Sequence, residues 1–176
     1  MWTAATSGLR FGELTGLSRR HVDLSAPSLR VERALADIKA RGPTLGPPKS
    51  VAAHRIVTIP PSTAELRAQH FSLYTADDPD SLLFTSLRGA PLLNTYFAPH
   101  WRRAASAAGL DGVRFHDLRH LAGTTAASAG ASLREIMVRM GHASAEASLR
   151  YLKRSERRDA EIASAIEQRI NRDLAD

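Results

Sequence analysis

Three short segments, far apart along the chain, hold the residues whose side chains can attack, bind or protonate a phosphate. They are Thr6-Ser7-Gly8-Leu9-Arg10-Phe11-Gly12-Glu13-Leu14, His116-Asp117-Leu118-Arg119-His120, and Gly141-His142-Ala143-Ser144 with Arg150-Tyr151-Leu152 just beyond. A tyrosine hydroxyl is a poor nucleophile at its ordinary pKa of about 10, so it needs positive charge nearby to favour the phenolate. Guanidinium groups meet that need and also clamp the non-bridging oxygens of an attacked phosphate. Histidine and lysine can exchange protons with the attacking and departing oxygens. These residue types suit cleavage of a phosphodiester through a covalent phosphotyrosine. Such a link preserves the phosphoester bond, so resealing asks for neither metal nor nucleotide.

Each residue also has a plainer reading. Arg10 can be a solvated helix residue, and Tyr151 a half-buried aromatic. His142, directly after Gly141, can be a helix-end group that satisfies carbonyls. His116 and His120 stand at i, i+4, which is a two-histidine metal spacing on a helix. The metalloprotease pattern, however, needs Glu where Asp117 stands. A metallohydrolase is therefore the weakest reading of the set.

Taken in order, the segments resemble the motif boxes of the tyrosine recombinases, the phage integrase family. The first matches the Gly-Leu-Arg-x-Gly-Glu-Leu box and the second the His-x-Leu-Arg-His box. The third matches the Leu-Gly-His box followed by Tyr, with Met140 in place of Leu, a mild exchange. Lys49, after Gly46-Pro47-Pro48 and before Arg55-Ile56-Val57, resembles the family's sheet lysine. The likeness runs from about Ala4 to Leu152.

The resemblance implies Tyr151 as nucleophile, Arg10 and Arg119 as the phosphate clamp, and Lys49 as general acid for the departing 5′ oxygen. Lys39, on the same connection, is the competing lysine. His116 and His142 are implied to hydrogen-bond the phosphate oxygens and help with proton transfer. Glu13 is read as orienting Arg10, and His120 as a structural residue packed beside the site. The implied activity is site-specific DNA cleavage and rejoining through a 3′-phosphotyrosine, with no cofactor and no metal. Family members usually carry an N-terminal DNA-clamping domain, whereas here the first box begins within eight residues of Met1. The expectation is thus a catalytic domain over residues 1–176 without that clamp. The alternative, from the binding class, is a DNA-binding remnant of an integrase without independent catalytic activity.

The elements that must position these residues can be read from spacing. A helical pattern from Met1 to Leu17 breaks at Ser7-Gly8, with Leu9, Leu14 and Leu17 facing inward. Ser28 to Leu35 alternates like one strand, 41–50 carries the Pro and Gly of a turn or long hairpin loop, and His54 to Pro60 reads as a second strand. Ser62-Thr63-Ala64-Glu65 has the pattern of a capping box opening a helix to about Tyr74. Helices follow over Asn94–Gly109 and Phe115–Ala129. Ser132-Leu133-Arg134-Glu135 is a second capping box, opening a helix whose Leu133, Ile136, Met137 and Met140 share one apolar face. The fold class expected is α+β, mainly α: by resemblance, the helical bundle with a small antiparallel sheet of a tyrosine recombinase catalytic domain.

The composition agrees with a nucleic-acid partner. The chain has 176 residues and a formal charge of +6, from 24 Lys and Arg against 18 Asp and Glu. That surplus favours a polyanion, and the resemblance implies that it is double-stranded DNA. Arg150, Lys153 and Arg154 flank Tyr151, and Arg102 and Arg103 follow Trp101; all five suit contact with the DNA backbone. There are no cysteines, and no signal peptide or membrane-spanning run, so no membrane association is expected and the cytoplasm is the expected location. Ile162, Ile166, Ile170 and Leu174 form a stripe along a C-terminal tail helix over 153–176. In this family a segment after the nucleophile often docks into a neighbouring protomer, which implies self-association on DNA through the tail.

Overall fold

The computed structural model describes residues 1–39, 41–48, 50–152 and 156–173. The N-terminal helical pattern forms α1 (Trp2–Ser7) and α2 (Phe11–Thr15), divided at Gly8. Gly8 ends α1 in the left-handed region at φ 70, and a Cβ there would lie 2.7 Å from Sδ of Met140. Both the backbone and the space demand glycine. Leu9, Leu14 and Leu17 are all buried, as their spacing predicts.

The strand region departs from expectation in two ways. Ser28 to Leu35 is not one strand. After β1 (Val22–Asp23), β2 (Ser28–Val31) ends at Val31, and β3 (Ala34–Ile38) starts a different sheet. Arg33, in the break between them, donates from Nε to the carbonyl of Gly16 at 3.0 Å, which turns the chain toward the end of α2. Nor is 41–50 all loop: Gly42–Gly46 forms β4, antiparallel to β3, with Asp37 opposite Pro43. A two-stranded ribbon has two free edges, so a proline without an N–H is tolerated there. Finally β5 (Arg55–Thr58) joins β1 and β2 in antiparallel order β1-β2-β5, with Leu29 opposite Val57 and Val31 opposite Arg55.

The helical layer follows: α3 (Pro61–Tyr74), α4 (Asn94–Ala107), α5 (Asp117–Ser128), α6 (Leu133–Met140), α7 (Glu146–Leu149) and α8 (Glu156–Asp173). The box predicted at Ser62 does not cap α3. Pro61 takes the first helical position, which places Ser62 inside the helix, and no side chain caps it. The Ser132 box does form, with Ser132 accepting from the Glu135 N–H. The main core joins Leu9, Leu14 and Leu17 to Leu29, Val31 and Val57 of the sheet, while Ile136, Met140 and Tyr151 make a second, smaller cluster. Among the described residues no helix is long and apolar enough to cross a membrane. Ile162, Ile166 and Ile170 on α8 are exposed; Leu174 lies outside the described residues.

Candidate active site

The three boxes meet at two arginines. Arg119, on the buried side of α5, donates from Nη1 to the carbonyl of Gly8 and from Nη2 to that of Met140. One guanidinium thereby joins the first box, the second and the third. Burial, with the nearby Arg10, lowers the Arg119 pKa to about 10, which leaves it charged at neutral pH. Arg10 occupies the N-cap position of α2, and its side chain reaches across 131 residues of sequence to the carbonyl of Gly141, at 3.1 Å from Nη2. Its Nη1 is 2.8 Å from Oε1 of Glu13, and its own backbone N–H donates to Oε2. The reading of Glu13 as the group that orients Arg10 agrees with this geometry.

Glu13 does more than orient Arg10. It is 3% exposed and also pairs with Arg55, 2.9 Å from Nη2 to Oε2. Burial alone raises the Glu13 carboxyl, but hydrogen bonds and charge from Arg55, aided by Arg10, overcome it and hold it below its ordinary 4.5. Arg55 also donates from Nε to the Arg139 carbonyl and from Nη1 to that of Ala53. Its role escaped the sequence reading, though a signal existed. Arg55 shares strand parity with Val57 and Ile59, both buried, and an arginine on a buried face requires a carboxylate.

Glu13→Ala is expected to destabilise the fold by about 3–5 kcal/mol, because two guanidiniums lose their shared partner. The same carboxylate makes stability pH-dependent. Its folded pKa is depressed, so its stabilisation is present above pH 4.5 and is lost as pH falls through the folded value. Thermal unfolding of wild type and Glu13→Gln from pH 7 downward checks this, with the variant expected to show the shallower acid loss.

Around Tyr151 the third box closes onto α5. The Tyr151 ring is 7% exposed and lies on Gly123, where an added Cβ would stand 2.7 Å from Cζ. Only glycine leaves room for the ring in this arrangement. On the other side the His142 ring stacks against Tyr151, 6.2 Å between centroids and 9° between planes. Nδ1 of His142 is 2.6 Å from Oγ of buried Ser148, a second residue that the sequence reading passed over. Burial and the charges of Arg119 and Arg10 lower His142 to about 4, so it is neutral at pH 7. The Tyr151 hydroxyl lies 3.2 Å from Nδ1 of His120. His120, expected to pack beside the site, thus stands against the tyrosine ring and within reach of its hydroxyl.

His116 is largely exposed, edge-on to His120 at 5.1 Å, and held below its ordinary 6.5 by the partial loss of water around its ring and by His120 and Arg119. Among the described residues no cluster of three or more His, Cys, Asp or Glu side chains could hold a metal ion. Arg150 is exposed one residue before the tyrosine and acts electrostatically on His142. Arg102 and Arg103 are exposed on α4, which is fixed by buried Trp101 donating to the Val113 carbonyl at 2.8 Å. Arg102 lines a cavity of about 980 Å³ together with Arg114 and His116; Arg103 does not line it. Lys39, the competing lysine, is exposed at the end of β3. Lys49, Lys153 and Arg154 lie outside the described residues.

The profile of the phage integrase family matches residues 1–158, nine-tenths of the chain. The chain belongs to the phage integrase family. Over 168 residues this family member is 38% identical to the putative prophage phiRv2 integrase of Mycobacterium tuberculosis, covering 93% of this chain and 44% of that protein. It is 34% identical to the integrase of Mycobacterium phage FRAT1 over 172 residues, covering 96% of this chain and 51% of that one. The chain thus spans about half the length of the curated relatives it matches. Its fold is similar to that of the Tn1549 transposon integrase solved with transposon right-end DNA, at TM-score 0.77 and 18% identity, over 91% of this chain and 55% of that one. It is also similar to XerA recombinase, at TM-score 0.71 and 23% identity, over 93% of this chain and 54% of that one. At such identities the likeness establishes the fold, the mainly helical α+β class expected from the sequence.

Proposed function

We propose that this chain cleaves and rejoins DNA strands at specific sites through a covalent 3′-phosphotyrosine on Tyr151. The observation that carries this reading is the joining of the three boxes by Arg119 and Arg10 beside a tyrosine held between Gly123 and His142. In the proposed reaction the scissile phosphate sits against Arg10 and Arg119, whose remaining N–H groups face its developing negative charge. The Tyr151 hydroxyl passes its proton to His116 or His142 as its oxygen bonds to phosphorus, the bond to the 5′ oxygen breaks, and that oxygen leaves with a proton from Lys49. His116 and His142 donate to non-bridging oxygens. A neutral imidazole has one N–H for this purpose. No step calls on a metal or a cofactor.

The partner in this reading is double-stranded DNA, met in the cytoplasm and gripped through Arg102, Arg103, Arg150, Lys153 and Arg154. The exposed isoleucine stripe of α8 supports self-association on DNA through the tail. Binding by this chain is expected to be weak and salt-sensitive. If about four phosphates are neutralised, log K falls with log salt at a slope of about −3.6, so a fourfold rise in salt weakens binding roughly 150-fold. Phosphate contacts carry no base information, so little sequence preference is expected. A fluorescence titration across salt concentrations measures both. Tight, salt-insensitive, site-specific binding would contradict this account.

The deciding experiment for the reaction is a suicide duplex, nicked near the scissile phosphate so that the released 5′ end is lost and cleavage is trapped. A protein–DNA adduct that survives denaturing electrophoresis, formed in excess chelator, is the expected result. DNA bound without any adduct is the outcome that the DNA-binding alternative requires, and it would overturn the enzymatic reading. An adduct that needs added zinc or magnesium would favour metal chemistry instead.

A further inference from the structure

We infer that Ser148 is a positioning residue: its buried hydroxyl holds the His142 imidazole so that the one N–H of that ring stands on Nε2, for the scissile phosphate. The inference rests on the proposed cleavage reaction and goes beyond it, since there Ser148 has no part. Ser148 is wholly buried on α7, between His142 and Tyr151 in sequence. Its Oγ is 2.6 Å from Nδ1 of His142, and its backbone carbonyl accepts the Tyr151 N–H at 3.0 Å. One residue thus touches both the imidazole and the turn that carries the nucleophile.

Chemistry gives the hydrogen bond its direction. His142 is neutral at pH 7, its pKa lowered to about 4 by burial and by Arg119 and Arg10. A neutral imidazole has one N–H to place on one of two nitrogens. With the proton on Nδ1, Ser148 would accept it, and the serine's own O–H would need another acceptor. Among the described residues the Ser148 hydroxyl has no side-chain or backbone partner but Nδ1. A buried O–H without an acceptor is costly. The hydroxyl therefore donates, Nδ1 accepts, and the proton stands on Nε2.

The same contact decides which way round the ring sits. Stacking on Tyr151, at 9° between planes, fixes the plane of the imidazole. A half-turn of the ring would keep that stacking while exchanging its nitrogens for carbons. Only one of the two orientations puts Nδ1 on the Ser148 hydroxyl. The backbone beneath is held as well, since the His142 N–H donates to the Met137 carbonyl at 3.0 Å at the end of α6. Of the parts open to it in the proposed reaction, His142 then takes that of donor to a non-bridging oxygen.

The test pairs a spectroscopic readout with a kinetic one, both on the full chain. Nitrogen NMR of histidine-labelled protein reads the tautomer of His142, with His142→Gln assigning its signals. Wild type at pH 7 should show a protonated Nε2 and a bare Nδ1. Ser148→Ala should lose that single form, and Ser148→Thr, which keeps a hydroxyl, should retain it. Single-turnover cleavage of the suicide duplex should slow on the order of 10–100-fold in Ser148→Ala, as for loss of the orienting partner of a metal-bound histidine, with DNA binding unchanged. In a His142→Gln background Ser148→Ala should add little further loss, because no imidazole is left to orient. A proton on Nδ1 in wild type would overturn the inference. So would Ser148→Ala cleavage within a few-fold of wild type, or a loss of equal size with and without the imidazole, which marks Ser148 as packing alone. A wild type that traps no DNA removes the recombinase reading and with it the purpose given to Ser148. Trapping by a wild type whose proton stands on Nδ1 removes the inference alone.

Discussion

Tyr151→Phe is expected to abolish covalent attachment to DNA while leaving non-covalent binding and folding close to wild type. The change removes one oxygen and nothing else. The ring keeps its seat on Gly123, its stacking on His142, and its place in the cluster with Ile136 and Met140. What is lost from the free protein is one partly buried hydrogen bond to His120, a net contribution of about 0.5–1.5 kcal/mol. In the proposed reaction the oxygen lost is the one that forms the phosphoester, so cleavage is expected to stop. Gel analysis of the nicked duplex reads the adduct, a fluorescence titration reads binding, and thermal unfolding reads the fold. An adduct that persists in Tyr151→Phe would remove Tyr151 from its assigned role.

The boxes were legible because their residue types are unusual in combination and their order is constrained. Core positions were legible too, since helical spacing alone put Leu9, Leu14 and Leu17 inside, and all three are buried. Spacing failed where the deciding interaction comes from elsewhere in the chain. Nothing near Glu32 and Arg33 marks the end of a strand; the break is tied to a hydrogen bond from Arg33 to Gly16. Likewise Gly42 to Gly46, with its proline and glycines, has the composition of a loop, yet it forms a strand because β3 lies alongside to pair with it.

The site shows the same division. Arg10, His116, Arg119, His142 and Tyr151 were picked out by motif, whereas the places of Arg55, Ser148 and His120 beside them are properties of contact. Arg55 matters because Glu13 is buried against it, and Ser148 because Nδ1 of His142 faces it. His120 sits next to Arg119 in sequence, but the two face different groups: one the tyrosine hydroxyl, the other two backbone carbonyls. A helix turns about 100° per residue, so neighbours in a motif face different groups.

In the proposed reaction Arg119 serves both the phosphate and the fold, and it sets the second large effect. Arg119→Ala is expected to slow cleavage by about 10²–10³-fold through the lost oxyanion contact alone, roughly 3 kcal/mol. It also leaves the buried carbonyls of Gly8 and Met140 without their donor, at a cost of about 1–3 kcal/mol each. The slope of that second loss is readable as a fall in Tm. Arg119→Lys distinguishes the two contributions. A lysine keeps the positive charge for the phosphate but presents a compact ammonium in place of a planar fork, so it cannot span both carbonyls as the guanidinium does. It should therefore recover part of the cleavage rate while remaining destabilised. Single-turnover cleavage measured beside thermal unfolding gives both quantities for each variant. An Arg119→Ala protein that cleaves within threefold of wild type would mean that the phosphate is held elsewhere. One with unchanged Tm would mean that the carbonyls of the first and third boxes do not depend on this guanidinium for their place.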